Sequence, residues 1–286
     1  MSTREVVEVI LARPTTDGAG VKLLRVFGGQ HPERFDPFLM LDEFGSEESS
    51  DYIGGFPSHP HRGFETVTYM LEGKMEHRDH LGHLGLLNDG DVQWMSAARG
   101  IIHSEMPRQT EGRMRGFQLW VNLPAAEKMK DPAYRDIPAA EIPHYDLGAV
   151  RVKAVAGETT ITTPSGSETV TGYIRHLTTD PLFLDLHWQC DTPVRLTLPA
   201  SHTSLLYVYE GRAQVGDKAT AVKTQQLARL QGDGELLVNA NTDTRILLLA
   251  GRPLREPIVQ YGPFVMNTAA EIEKAIEDYR EGILTQ

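Results

Sequence analysis

Residues 59–65 read His-Pro-His-Arg-Gly-Phe-Glu, and residues 103–105 read His-Ser-Glu. Each stretch places two side chains that can bind a metal at i, i+2 spacing, and alternate side chains of a β-strand point to the same face. Two such strands in one barrel would direct the side chains of His59, His61, His103 and Glu105 at a single cation. The pattern therefore predicts a transition-metal site in a β protein.

The composition excludes several classes of function. The 286-residue chain is long enough for two domains. Its single cysteine, Cys190, rules out an internal disulfide and fits a reducing compartment. The net charge of −11 argues against binding to nucleic-acid phosphates, and neither a membrane-spanning run nor a signal peptide is recognisable. We therefore expect a cytoplasmic protein, or a nuclear one in a eukaryote, with no direct contact to nucleic acid or membrane.

Short alternating runs of β-branched and aromatic residues, divided by glycine and proline, predict a mostly β protein. The clearest helix signal comes near the end of the chain, where Thr268 and Glu271 have the spacing of a capping box. An apolar stripe at helical spacing follows, and Gly282 is a plausible stop. A short helix over residues 125–130 is a weaker prediction.

Residues 66–74 resemble residues 204–212, about half of the chain further on. A repeat at this distance predicts two β-barrel domains related by duplication. The same shift carries His59 to Thr197 and His61 to Pro199, and the second half contains no His-x-His pair. Only the first domain is therefore expected to hold a metal.

The ligand set narrows the kind of metal. Three neutral imidazoles and a carboxylate favour a first-row ion such as iron, manganese, nickel, copper or zinc. Four protein ligands around an octahedral ion leave two positions for water, oxygen or a chelating substrate. A closed structural zinc site is the main alternative, although such sites rely on cysteine and none lies near these residues.

Several other side chains have ordinary explanations beside functional ones. Glu65 could be a ligand, an acceptor for an imidazole N–H, or an exposed strand carboxylate. His77, His80 and His83 are interpreted as part of a solvated loop or the rim of a pocket. Cys190 is interpreted as a buried, inert thiol.

Longer motifs resemble the pirin family over nearly the whole chain. They are residues 36–44, 55–67, 93–107, 118–123, 251–257 and 262–268. The resemblance implies an all-β bicupin, with two jelly-roll-like β-barrels, a few short helices and a C-terminal helix. It places a metal-binding cupin domain over residues 1–135 and a cupin domain without a metal site, plus the helix, over residues 136–286.

The resemblance also implies the site and its chemistry. The family's metal ligands fall on His59, His61, His103 and Glu105, and the family metal is usually Fe²⁺, with Mn, Ni, Cu, Co or Zn as alternatives. Some pirins open the heterocycle of the flavonol quercetin with O₂ and release CO, as quercetin 2,3-dioxygenases do. For that reaction Glu105 is the candidate catalytic base, because a carboxylate can loosen from a metal that imidazoles still hold.

Other pirins act without catalysis, as iron redox sensors that bind a transcription factor or a metabolic enzyme. The resemblance therefore leaves two functions open. We expect the dioxygenase, acting on a flavonol-like molecule and O₂ as a monomer. The alternative is the transcriptional coregulator with a protein partner.

Overall fold

The computed structural model describes residues 3–29 and 31–286, which form 26 β-strands and one α-helix. The first twelve strands are β1 Glu5–Leu11, β2 Arg13–Asp17, β3 Val21–Phe27, β4 Phe38–Ser46, β5 Phe56–His61, β6 Phe64–Glu72, β7 Met75–Asp79, β8 Leu84–Leu87, β9 Val92–Ser96, β10 Ile101–Pro107, β11 Met114–Asn122 and β12 Ala133–Ile137.

The remaining elements follow in the second half of the chain. They are β13 His144–Asp146, β14 Val150–Ala156, β15 Glu158–Thr163, β16 Gly166–Thr171, β17 Leu182–Trp188, β18 Thr192–Leu196, β19 Thr203–Glu210, β20 Arg212–Val215, β21 Thr220–Lys223, β22 Gln226–Gln231, β23 Leu236–Ala240, β24 Arg245–Gly251, β25 Val259–Tyr261, β26 Phe264–Met266 and α1 Ala269–Arg280. Short 3₁₀ turns occupy Pro32–Phe35, Ser49–Asp51, Ala125–Glu127 and Ala139–Glu141.

The chain folds into two compact units that exchange their ends. The histidine unit comprises Arg13–Ala139 and Leu254–Gln286, and the leucine unit comprises Ala140–Pro253 with the described residues up to Ala12. The division predicted from the sequence, 1–135 and 136–286, instead treats each half as continuous. The difference arises because β1 pairs with β22 of the leucine unit, while α1 packs on β25 and β26 in the histidine unit.

Each unit is built on a seven-stranded antiparallel sheet, and the two sheets have the same strand order. The order is β12-β9-β6-β11-β4-β3-β2 in the histidine unit and β1-β22-β19-β24-β17-β14-β13 in the leucine unit. The second sheets also correspond, since β5-β10-β7-β8 matches β18-β23-β20-β21. The predicted all-β fold with two cupin domains is therefore confirmed, and the repeat noticed in the sequence aligns β6 with β19.

An aliphatic core fills the leucine unit. Buried residues from both of its sheets, among them Leu184, Leu206 and Leu248, form one continuous cluster. Cys190 lies outside this cluster and is exposed, so the prediction of a buried thiol is wrong. The strand β17 ends at Trp188, and Cys190 therefore falls in the solvated connection to β18.

The helix α1 begins where the capping box predicts. The Thr268 hydroxyl accepts from the Glu271 backbone N–H at 3.2 Å, and the Glu271 carboxylate accepts from the Thr268 backbone N–H at 2.8 Å. The buried face of α1 packs Ile272 and Ala275 against Phe264. Where the weaker helix was predicted, the chain forms only the 3₁₀ turn Ala125–Glu127. Within the described part of the chain, no helix is long and apolar enough to cross a bilayer.

Candidate metal centre

The two histidine-bearing strands are neighbours in one sheet of the histidine unit. Strand β10 pairs antiparallel with β5, and His103 lies directly opposite His59 in that register. Because alternate side chains share a face of a strand, His61 points the same way as His59. Pairing and alternation together bring three imidazoles to one place.

The ring nitrogens of the three histidines converge. His59 Nε2 lies 3.0 Å from His61 Nε2 and 2.9 Å from His103 Nε2. Metal–nitrogen bonds of about 2.1 Å at right angles separate neighbouring nitrogens by about 3.0 Å, whereas tetrahedral angles separate them by about 3.4 Å. The spacing of these donors therefore fits a single ion with adjacent imidazole ligands at right angles.

The protonation of the imidazoles suits metal binding. His59 Nδ1 lies 2.8 Å from the Pro57 carbonyl, which can only accept, so Nδ1 is the donor and Nε2 is the nitrogen that could bind a metal. Burial, reinforced by the neighbouring imidazoles, lowers the pKa of His61 and of His103 well below the ordinary value of 6.5. Both rings are therefore neutral at physiological pH, as metal ligands must be.

Glu105 lies beside His103 and is almost completely buried. Its Oε1 accepts from the Thr68 hydroxyl at 3.1 Å, and both of its carboxylate oxygens lie 3.1 Å from Gln118 Nε2. Its carboxylate falls within 4.8 Å of ring nitrogens of His77 and His103, but it does not join the trio of His59, His61 and His103 at that spacing. The structure thus gathers three of the four predicted ligands at one point and places the fourth next to His103.

His77 corrects the interpretation of residues 77–83 as a solvated loop or rim. It is 1% exposed, and its Nδ1 lies 3.3 Å from His103 Nδ1. The reason is the alternation of β7, which turns His77 inward opposite Glu105 in the register with β10. His80 and His83 are exposed as expected, and His83 pairs with Asp79 at 2.8 Å.

Glu65 is neither an exposed carboxylate nor a member of the metal-binding groups found among the described residues. Thr66 and Thr68 of β6 face the same side as Trp120 and Gln118, so alternation turns Glu65 to the other side. Burial raises the pKa of Glu65 to about 7.

A row of polar side chains crosses the large sheet beneath Glu105. Directly opposed residues on adjacent strands share a face, and the pairings link six of them in turn. The row runs Asp136, Gln93, Thr68, Gln118, Asp42 and Arg25. Its ends are held by Gln93 Nε2 donating to Asp136 at 2.7 Å and by Arg25 donating twice to Asp42, at 2.9 and 2.8 Å. Sequence reasoning missed this row, since no residue in it belongs to a metal-binding motif.

A cleft of about 720 Å³ opens onto the histidines. His59 and His61 form one part of its wall, together with Gln118 and the Arg25–Asp42 pair. Most of the remaining wall is apolar, from Leu23, Met40, Phe44, Phe56, Trp120 and Pro263. A flat apolar molecule with a few polar groups would be held by such walls with one edge at the imidazoles.

Comparison with known proteins identifies the family. The Pirin family profile matches residues 20–121, and the profile of the Pirin C-terminal cupin domain matches residues 183–285. The chain belongs to the pirin family.

Pirin relatives match the chain along almost its whole length. It is 53% identical, over 98% of each chain, to a Pseudomonas aeruginosa protein named "Putative quercetin 2,3-dioxygenase". It is 41% identical to rat pirin, over 98% of this chain and 93% of that protein. The crystal structure of a quercetin 2,3-dioxygenase from Acinetobacter baumannii superposes with a TM-score of 0.88 at 33% identity, over 99% of both chains.

In this pirin, the C-terminal segment contacts the end of β5, the strand that carries His59 and His61. Arg62, next to His61, pairs with Asp278 at 2.7 Å and donates to the Leu284 carbonyl at 2.8 Å. Gly63 has a φ of +91°, and a Cβ at this position would collide with the Val265 carbonyl. The segment after residue 254 therefore approaches the ligand strand at a distance that only glycine permits.

A buried lysine completes this attachment. The Lys128 ammonium donates to the Gly63 carbonyl and to Asn122 Oδ1, each at 2.6 Å, and to the Val265 carbonyl at 3.0 Å. Burial lowers the pKa of Lys128 to about 8, so the side chain remains charged at neutral pH. Three acceptors for three protons explain how a cation is tolerated here.

Proposed function

We propose that this pirin is a mononuclear metal-dependent dioxygenase that opens the heterocycle of a flavonol such as quercetin with O₂ and releases CO. The observation that carries the proposal is the convergence of the His59, His61 and His103 ring nitrogens beside a largely apolar cleft, whose wall includes His59 and His61. The names of the Pseudomonas aeruginosa relative and of the Acinetobacter baumannii structure support the same substrate class.

The ion would be Fe²⁺, held by His59, His61, His103 and Glu105. A set of imidazoles with one carboxylate and no thiolate suits iron, and it would also accept manganese, nickel, copper, cobalt or zinc. When bound, the ion would supply a Lewis acid for the substrate oxygen and a centre for O₂ chemistry.

The protein's own residues would bind the substrate, orient it and move one proton. Phe56 and Trp120 would pack against the flat rings and exclude water from the reacting edge. Glu105 would accept the proton of the flavonol hydroxyl, because it is the carboxylate next to the imidazoles. Thr68 and Gln118 donate to this carboxylate and hold it in place.

The test combines metal content with turnover. Protein loaded with Fe²⁺ should consume a flavonol in an O₂-dependent manner with release of CO. Glu105→Gln should lower kcat by about 100-fold or more, since a general base contributes about 10²–10⁴-fold. Full activity of Glu105→Gln with its metal retained would eliminate Glu105 as the base.

A metal-loaded protein that turns over no flavonol in a panel would contradict the dioxygenase proposal. The same metal-loaded protein then tests the alternative function, the redox-sensing regulator. Such a regulator must bind its protein partner differently in the ferrous and ferric forms.

A further inference from the structure

We propose that Gln118 is a positioning residue for Glu105, through a hydrogen-bond clamp that Trp120 orients. The inference deepens the proposed function, because it concerns the same carboxylate. It starts from the contact itself, in which Gln118 Nε2 lies 3.1 Å from Oε1 and 3.1 Å from Oε2 of Glu105. One amide nitrogen thus faces both carboxylate oxygens at once.

The orientation of the Gln118 amide follows from its other neighbour. The Trp120 indole N–H can only donate, and it lies 3.3 Å from Gln118 Oε1. The amide oxygen must therefore face Trp120, which leaves the NH₂ group to face Glu105. Trp120 is itself held by packing against Phe64, with ring centroids 4.3 Å apart.

The third contact to Glu105 comes from the same polar row. Thr68 lies directly opposite Gln118 in the sheet, and its hydroxyl donates to Glu105 Oε1 at 3.1 Å. Glu105 is 3% exposed, so little water can replace these donors. A buried carboxylate needs hydrogen-bond donors within the protein, so these contacts hold the Glu105 side chain in place.

The leucine unit shows that the clamp accompanies the histidines. The matching strand order and registers align Gln118 with Leu248, Trp120 with Ala250 and Glu105 with Val238. The clamp and the carboxylate are therefore both absent from the unit whose equivalent positions lack the histidines.

The consequence is that Gln118 fixes the direction of the Glu105 carboxylate without touching a reacting atom. Loss of the amide would leave Thr68 bonded to Oε1 but remove the Gln118 donor from both oxygens, so the carboxylate could turn and would be weakened both as a ligand and as a base. Orienting partners of metal ligands typically contribute about 10–100-fold to metal affinity or activity.

The experiment compares Gln118→Leu and Gln118→Glu with Gln93→Leu. Gln93 is a matched control, because it is a buried glutamine of the same row that bonds Asp136 and not Glu105. Co²⁺ is the probe, since its visible absorption reports the ligand geometry without any turnover. Thermal unfolding checks that each variant is folded, and flavonol turnover is measured in parallel.

The expected result is a shifted Co²⁺ spectrum and about tenfold weaker Co²⁺ binding in both Gln118 variants, with kcat lowered about 10–100-fold. Gln118→Glu should be affected more, because it places a second carboxylate against Glu105. Gln93→Leu should keep the spectrum, the affinity and the turnover of the unaltered protein.

Two results would overturn the inference. One is a Gln118→Glu protein with the unaltered spectrum and affinity, and the other is a Gln93→Leu protein that changes as much as Gln118→Leu. If the unaltered protein turned over no flavonol while the Gln118 variants still shifted the Co²⁺ spectrum, the dioxygenase proposal would fail and the positioning role would stand.

Discussion

The histidine unit and the leucine unit have the same strand order, but the histidine unit has polar side chains at interior positions where the leucine unit has aliphatic ones. Aligning their registers through β6 and β19 gives the equivalent positions. They are His59 and Leu196, His103 and Leu236, Glu105 and Val238, His77 and Val215, Thr68 and Leu206, and Gln118 and Leu248. Each histidine-unit residue in this set corresponds to an aliphatic residue at the equivalent position of the leucine unit.

The difference extends along the whole polar row. Its equivalent in the leucine unit runs Val9, Ala228, Leu206, Leu248, Leu184 and Ala154. Buried polar groups are costly unless all of them are paired, so a half-kept network is worse than an apolar core. The comparison teaches that the three histidines, Glu105 and the two side chains that donate to it, Thr68 and Gln118, occur together in one unit and have only aliphatic counterparts in the other.

Moving one residue of the leucine unit into the histidine unit should have the largest effect. His103→Leu copies Leu236 and removes the imidazole that lies opposite His59. We expect metal affinity to fall by more than about 100-fold, since even supporting residues contribute about 10–100-fold. Titration with Fe²⁺ or Co²⁺ measures the loss.

The control for this change is His83→Leu, in which an exposed histidine of the same unit is removed. Its metal affinity should stay unchanged. Retention of tight metal binding by His103→Leu would break the comparison, because the trio would then not be the site.

The reverse exchange should destabilise the protein without creating a site. Leu236→His buries an imidazole in the aliphatic core, where Leu196 and Val238 offer it no hydrogen bond. An unpaired buried polar group and the lost packing together cost about 2–4 kcal/mol in the free energy of unfolding. Urea denaturation measures the cost, and a metal titration should show no added binding. A stable variant that binds a second ion would show that a single histidine suffices.

A smaller effect concerns the pH dependence that Glu65 gives to the histidine unit. The pKa of Glu65 is raised from 4.5 to about 7. Its contribution to the free energy of unfolding is therefore fully present below pH 4.5 and is lost as the pH rises through about 7. The free energy of unfolding of Glu65→Gln, measured relative to that of the unaltered protein, should therefore rise by about 2 kcal/mol from pH 5 to pH 8. Chemical denaturation at the two pH values checks this. Equal stability differences at both would contradict the assigned cause.

The sequence predicted the histidine trio because two i, i+2 pairs need only strand alternation to converge. The role of Gln118 could not be predicted from the sequence, because it depends on which strands lie near β10 and on their register. The orientation of Glu65 was also not predictable, because alternation defines two faces of β6 but does not show which face points to the cleft. His77 was misjudged because the hydrophilic residues around it outweighed the inward alternation of Met75, His77 and Asp79.

The exchange of chain ends was equally hidden from the sequence. The sequence of β1 indicates a strand, but it does not show which strand β1 pairs with. In the structure β1 pairs with β22, which lies late in the sequence of the leucine unit. The helix α1 was predicted from its capping box, and only its packing shows that it belongs to the histidine unit. Local sequence signals thus predicted the strands and the helix, while long-range pairing decided which unit each of them belongs to.

The exchange of ends sets an order of events during synthesis. Ribosomes add about 5–20 residues per second, and N-terminal domains usually fold first. Here the N-terminal half carries His59, His61 and His103, but Arg62 and Lys128 find some of their partners in the later segment that includes Val265, Asp278 and Leu284. The histidine unit is therefore completed only after that segment has been made, and a nascent chain stalled before residue 254 would carry His59, His61 and His103 without those contacts.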